Sequence, residues 1–310
     1  MPYIISVILN ILTSGLPCCL LALGIFITYR LLDFADLTAE GSFLIGASLA
    51  IALIKVGVNP YVATLIATLG GSICGYLTSV FYTKLKIPKL LSGIITMTMT
   101  TSLALLILGI TKGGTFFTNN VALSSSDPTI YSIFYFNATT LRPLIKTIIM
   151  LVIVMIVFVI IYFFFGTEYG MAIRATGMNE KMGKAQGINT ERASVIALTL
   201  SNTLIALAGA MYAQDLKSCD IKISSGFLVI GLASILIGEA IFGNRSFKNR
   251  LISIALGSIV YFVIVNVAIE LGFPSELKNL LYAILIVIAL MLGLIKSLKK
   301  RKVIKYAQAS

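Results

Sequence analysis

The stretch "LIKTIIMLVIVMIVFVIIYFFF", Leu144–Phe165, holds one charged residue, Lys146, in an otherwise almost unbroken apolar run. A run of that length matches the ~20 residues a helix needs to cross the hydrocarbon core of a bilayer. No water satisfies the backbone inside that core, so a spanning segment is a helix or part of a closed barrel. Barrel strands run to about ten residues, far short of this. Comparable runs recur along the chain and predict spans at residues 3–29, 41–55, 61–82, 90–111, 143–165, 193–213, 226–243, 251–270 and 279–296. The expected fold is all-α, a polytopic membrane protein of about nine transmembrane helices. Residues 1–296 would form a single transmembrane domain and 297–310 a short basic tail. The charged fraction of 12% agrees, since soluble domains carry about 25%.

The net charge of +12 does not point to nucleic acid, because the cations sit in short loops. Loops 30–40, 83–89, 166–192 and 244–250 and the tail from Lys296 onward carry 17 of the 24 Lys and Arg. The opposite loops hold five, Lys112, Arg142, Lys217, Lys222 and Lys278, with Lys55 and Lys146 at span boundaries. The positive-inside rule then places the N-terminus outside and the "SLKKRK" tail in the cytoplasm. The opening "MPYIISVILN" lacks a basic segment and a small-residue cleavage site, so no cleaved signal peptide is expected. Three of the four cysteines lie in apolar runs and Cys219 stands alone in a loop; no metal spacing appears, and no metal or cofactor is expected. The chain has no histidine, which removes the commonest general base and Ser-His chemistry. It also lacks a G-x-x-x-x-G-K-[ST] loop, so it is not expected to hydrolyse ATP or to be an enzyme.

Two segments echo each other. "DLTAEGSFLIGAS", Asp36–Ser48, resembles "DIKISSGFLVIGLAS", Asp220–Ser234: each places Phe-Leu seven residues after its Asp. "LKIP" at 85–88 is echoed by "LGFP" at 271–274 in a matching register. The second span corresponds to the seventh, an odd displacement, so the halves (about 1–111 and 193–296) run in opposite directions. Spans 1–4 and 6–9 thus form an inverted-topology repeat, an arrangement typical of transporters. Both copies begin with a polar interruption, where non-helical backbone survives at membrane depth only if it lines a protein cavity. This marks Asp36, Thr38, Glu40, Gly41 and Ser42, with Ser224, Ser225 and Gly226, as candidate substrate-pathway residues. The competing reading is an ordinary turn in which Asp36 or Thr38 caps the second span.

Residues 166–192 form the longest polar segment on the basic side. Asn179 can cap a helix from Glu180 to Gln186, Gly187 can end it, and Thr190 can cap the next span. So short a helix is marginal in water and needs a surface to dock on, either headgroups or a partner protein. Glu239 is an acid inside an apolar span; a proton-coupled carrier could use it, while pairing with Arg245 or snorkelling also accounts for it.

The stretch "GMAIRATGMNEKMGKAQGIN", Gly170–Asn189, resembles the cytoplasmic coupling segment in permease subunits of ABC importers of the branched-chain amino acid/ribose type. "ADLTAEGSFLIGAS" and "GLASILIGEAIFG" resemble further blocks of that family. Where branched-chain permeases usually carry an Asn-Phe-Ala-His-Gly type sequence, residues 35–41 here read "ADLTAEG", similar to the tryptophan/tyrosine permease subgroup. The resemblance implies a bacterial cytoplasmic membrane protein, a permease dimer of two like copies, cytoplasmic ATP-binding subunits and an extracytoplasmic substrate-binding protein. It assigns ATPase coupling to Gly170, Arg174, Gly177, Asn179, Glu180, Lys181, Met182, Lys184, Ala185 and Gly187. An autonomous proton- or sodium-coupled carrier also fits an inverted repeat, but leaves the docking segment unexplained.

Overall fold

The computed structural model describes residues 3–111, 118–132, 142–243 and 246–270, with a few positions between 280 and 291. Among these residues eight helices are long and apolar enough to cross a membrane. The predicted span 279–296 and the tail 297–310 lie outside the continuously described residues. The helices are α1 (Tyr3–Ile25), α2 (Thr38–Lys55), α3 (Pro60–Thr83), α4 (Lys89–Thr111), α5 (Arg142–Phe164), α8 (Thr190–Leu216), α9 (Phe227–Phe242) and α10 (Phe247–Glu270). Two short helices, α6 (Glu168–Met178) and α7 (Glu180–Ala185), stand between α5 and α8. The structure bears out the all-α polytopic reading.

α8, from the second half, packs among α1, α2 and α3 of the first. Glycines let the backbones close up, as small residues do between membrane helices. A Cβ at Gly46 would collide with the Ala206 carbonyl, and one at Gly75 with the Leu198 carbonyl. α1 is the most enclosed span, whereas α5 exposes most of its side chains. That contrast separates a core helix from one whose outer face meets lipid.

The span ends sort onto two faces. On one, Lys86 pairs with Glu191 at 2.7 Å, and the Lys89 ammonium donates to the Asp33 carbonyl at 3.0 Å. This basic face gathers loops 30–40, 83–89 and 166–192. On the other, strands β1 (Asn120–Ala122) and β2 (Ser218–Asp220) form an antiparallel pair, Asn120 opposite Asp220 and Val121 opposite Cys219. Lys55 pairs with Asp127 at 3.5 Å, and Lys146 pairs with Asp215, so both boundary cations belong to this face. The sequence reading had no strand here; three-residue strands are too short to show periodicity.

Candidate functional site

After Ile25 the first span widens into a π-helical turn, Phe26–Leu31, and the chain doubles back through residues 32–37. The Phe34 N–H bonds to the Thr28 carbonyl, Asp33 takes a left-handed φ of 54°, and Asp36 turns inward. Asp36 is 5% exposed. Its Oδ1 accepts the Thr38 N–H at 2.9 Å and its Oδ2 accepts the Asn202 amide at 2.8 Å. The Asn202 oxygen in turn accepts Ser42 Oγ at 2.6 Å. Thr38 Oγ1 meets Thr78 Oγ1 at 2.8 Å, and Thr78 donates to Thr96 at 2.9 Å. Four spans and a loop therefore share one polar network. Among the described residues no Lys or Arg pairs with Asp36; neutral donors alone satisfy it.

Asn202 lies ~18 Å along α8 from Thr190 and ~21 Å from Leu216, at 1.5 Å per residue. Asn202 thus sits at the middle of α8, and Asp36 reaches it from the interruption. A lipid-exposed carboxylate there would cost about 2.5–3.5 kcal/mol. Enclosure between α2 and α8 removes that exposure, and hydrogen bonding offsets the burial.

The remaining pathway candidates diverge from this network. Glu40 points the other way, and its Oε1 accepts the Gly226 N–H at 3.1 Å. Gly226 has φ +86°, which favours glycine, and α9 starts directly after it. The structure therefore joins the two predicted interruptions. Beside this contact the rings of Phe43 and Phe227 stack at 4.1 Å, with Tyr212 5.9 and 5.1 Å from them. Phe43 and Phe227 are matched residues of the two echoing segments. Each lies ~18–22 Å from the far end of its own helix. Gly41 is packed against Thr100 of α4, where any side chain would collide. Ser224 is buried and Ser225 exposed.

Asp36 and Asp220 also share their local geometry, since Asp220 Oδ1 accepts the Lys222 N–H at 2.8 Å. Neither Asp36 nor Thr38 caps α2: Leu37 holds the cap position without a side-chain cap bond, Thr38 is the first helical residue, and Asp36, one residue before the cap, accepts the Thr38 N–H. Asn202, Thr78, Thr96 and Tyr212 went unnoticed in the sequence. Asn202 carried a legible signal, an amide inside the apolar run "TLSNTLIAL".

The polar segment folds as two helices rather than one. Thr167 caps α6 by accepting the Gly170 N–H at 3.5 Å, and Asn179 caps α7 by accepting the Met182 N–H at 3.1 Å. α7 ends at Ala185, with Gln186 as its cap and Gly187 at φ +82°, close to expectation. The cap of α8 is Asn189, accepting the Arg192 N–H at 3.0 Å, and not Thr190. Thr190 is instead the first helical residue, 2% exposed and turned toward Gly183.

The coupling candidates divide into anchors and outward residues. Any side chain at Gly170 or Gly177 would collide with Phe165 or with the Leu31 carbonyl. Arg174 donates to the Phe165 carbonyl at 2.7 Å and lies 5.3 Å over the Phe247 ring. These three fasten α6 to the ends of α5, α10 and the π turn. Lys181, Met182, Lys184, Ala185 and Gly187 face outward, as do Tyr169, Met171 and Met178, the last 88% exposed. Glu180 accepts from Lys184 at 2.8 Å, which holds its carboxyl below the usual range and the ammonium above it.

Glu239 receives Arg30 in a two-pronged pair with N–O distances of 3.2 and 2.5 Å. Arg245 lies outside the described residues. The π turn swings Arg30 across to α9, a contact between residues 209 apart in sequence.

Among the described residues, eight apolar helices with a capped, methionine-bearing helix pair on one face define a multi-pass membrane protein. The chain belongs to the permease family whose model is described as "Branched-chain amino acid transport system / permease component", which matches residues 7–290. It is 34% identical over 296 residues to a tyrosine transport system permease protein of Clostridioides difficile, covering 95% of this chain and 94% of the relative. It is 26% identical to a probable branched-chain amino acid transport permease protein, LivH, of Methanocaldococcus jannaschii, covering 82% and 84%. The ribose import permease protein RbsC of Escherichia coli is 21% identical, over 93% and 86%. No solved structure matches the chain at a significant level.

Proposed function

We propose that this chain is the membrane-spanning subunit of an ATP-driven importer, with cytoplasmic ATP-binding subunits seated on α6 and α7. The observation that carries this reading is the division of labour in 166–192. Gly170, Arg174 and Gly177 anchor the pair to three spans, while Met171, Met178 and Met182 are left exposed. Exposed methionines offer adaptable apolar contacts to a partner. A rigidly fastened element transmits displacement of its outer face to the helices beneath it. The basic face is then cytoplasmic, with the N-terminus outside and the C-terminus inside.

A substrate-binding protein delivers a small solute to the β1–β2 face. The solute passes between the two repeat halves, where Glu40 bonds to Gly226 and Phe43 stacks on Phe227. An aromatic amino acid fits this reading best, because the similar Clostridioides protein is named for tyrosine and the crossing point is aromatic. A second permease copy completes the assembly. The ion-coupled carrier reading loses its candidate group, since Glu239 is engaged by Arg30.

The test is co-purification of the ATP-binding subunit with permease variants at equal permease levels. Met182→Asp sets a charge in an apolar contact, costing several kcal/mol if unpaired, and should lower retention at least tenfold. Gly187→Val strains a left-handed position by ~1 kcal/mol or more and should reduce uptake with smaller loss of binding. Normal binding and transport by both variants would exclude this docking surface. Orientation is checked separately with a membrane-impermeant maleimide. Val56→Cys should label on intact cells, and Met178→Cys only after permeabilisation.

A further inference from the structure

A groove of about 470 Å³ opens on the outer side of the bundle between α1, α5 and α10. α5 lines it with Leu151, Met155 and Val159, α10 with Ile252 and Leu256, and Lys248 closes its end on the basic face. From Leu151 to Phe163 its floor runs ~18 Å along α5, whereas the hydrocarbon core is ~30 Å thick. The groove therefore spans about one leaflet, from the midplane to the basic face. A second cavity of about 420 Å³ adjoins it through Tyr162 and Phe163, which line both. Arg174, Thr167 and Phe247 line that cavity.

We infer that this groove is a binding site for an anionic phospholipid of the leaflet on the basic face. Its acyl chain lies along α5 and α10, and its headgroup is held at Lys248 and Arg174. Charge complementarity selects the occupant. Two cations stand at headgroup level beside an apolar channel, and among the described residues no acidic side chain lines either cavity. Lys248 is exposed and takes part in no ion pair among the described residues. Arg174 spends donors on the Phe165 and Gly170 carbonyls, yet a guanidinium has five, so others remain for a phosphate. Basic pockets between membrane helices on the cytoplasmic side commonly hold such headgroups. A partner helix fits poorly: it would need a seam across the whole bilayer and a width of ~10 Å, and this groove stops halfway.

The test uses the full-length permease in mild detergent and phosphatidylglycerol bearing a diazirine on its acyl chain. Irradiation and peptide mapping should place the label on α5 and α10 within the groove. Unlabelled phosphatidylglycerol should compete at least fivefold better than phosphatidylcholine. Lys248→Glu should cut labelling at least fivefold, and Val159→Trp should block the channel, each with an unchanged melting temperature in lipid-free detergent. Equal competition by phosphatidylcholine, or label spread evenly over α3 and α4, would make this ordinary boundary lipid and overturn the proposal. An unlabelled groove in folded wild-type protein would overturn it too, pointing to a second copy or the segment 279–296 as the occupant. The competition arm reads wild-type protein alone, so it decides even if a variant misfolds.

Discussion

Asp36 and Asp220 begin the two echoing segments, and each accepts the N–H of the residue two further on. Beyond that turn they part. Asp36 faces α8 and takes the Asn202 amide in a closed pocket; Asp220 stays half-exposed in a strand pair at one end of the bundle. A repeated motif thus carries its local turn into both halves, while the packing around it decides what the carboxylate costs and does. In the first half the interruption is locked to α8. In the second it is held by Gly226 on Glu40 and a two-stranded ladder, and Ser225 is left exposed. The first interruption is thus held by a buried hydrogen-bond network and the second by contacts nearer the surface.

The strongest way to break this comparison is to remove the Asp36 lock. Asn202→Leu leaves a buried carboxylate without its amide and Ser42 without its acceptor. Leaving a buried polar group unsatisfied costs about 1–3 kcal/mol, and more for a charged one, so this variant should be strongly destabilised. Asp220→Ala should cost only ~0.5–2 kcal/mol, as for a lost cap. Thermal unfolding of both variants in one detergent decides. Equal losses would mean the two sites are equivalent.

A smaller effect, a coupling, is expected where the halves meet. Phe43→Ala and Phe227→Ala each empty part of a buried ring stack, at up to about 3–5 kcal/mol for a fully packed Phe. The double variant should fall short of additivity by ~0.5–1.5 kcal/mol, the coupling of an aromatic pair. Full additivity would show that the rings do not interact in the working protein.

Much of this difference was not legible in the chain. Hydropathy placed the eight described spans within a few residues, because lipid allows only one way of satisfying a helical backbone. Asn179 and Gly187 were legible because caps act over two or three residues. Asp36 and Asn202 are 166 residues apart, and Arg30 and Glu239 are 209 apart. Nothing in local pattern chooses such partners. The partners of Arg174 were not legible for the same reason: Phe247 comes beside it only in the fold.

The finest probe of the asymmetry is a pair of native thiols. Cys219 sits opposite Val121 in the ladder, fully buried, and burial pushes its thiol up to about 12, with Asp220 adding to the rise. Cys74 lies beside the Asp36 network and is 5% exposed. A raised thiol stays protonated through neutral pH, so at pH 8 only ~1 in 10⁴ of Cys219 is the reactive thiolate. Resting wild-type permease should therefore resist maleimide at both positions, with Cys219 labelling rising about tenfold per pH unit from 8 to 10. If the second interruption opens during transport, the ladder must part, and water reaching Cys219 lowers its pKa toward the ordinary value. Labelling of Cys219 at pH 8 should then grow severalfold in the assembled, ATP-hydrolysing complex, while Cys74 stays silent. Labelling of Cys74 alone would assign the motion to the first half, and equal labelling of both would make the two interruptions move together.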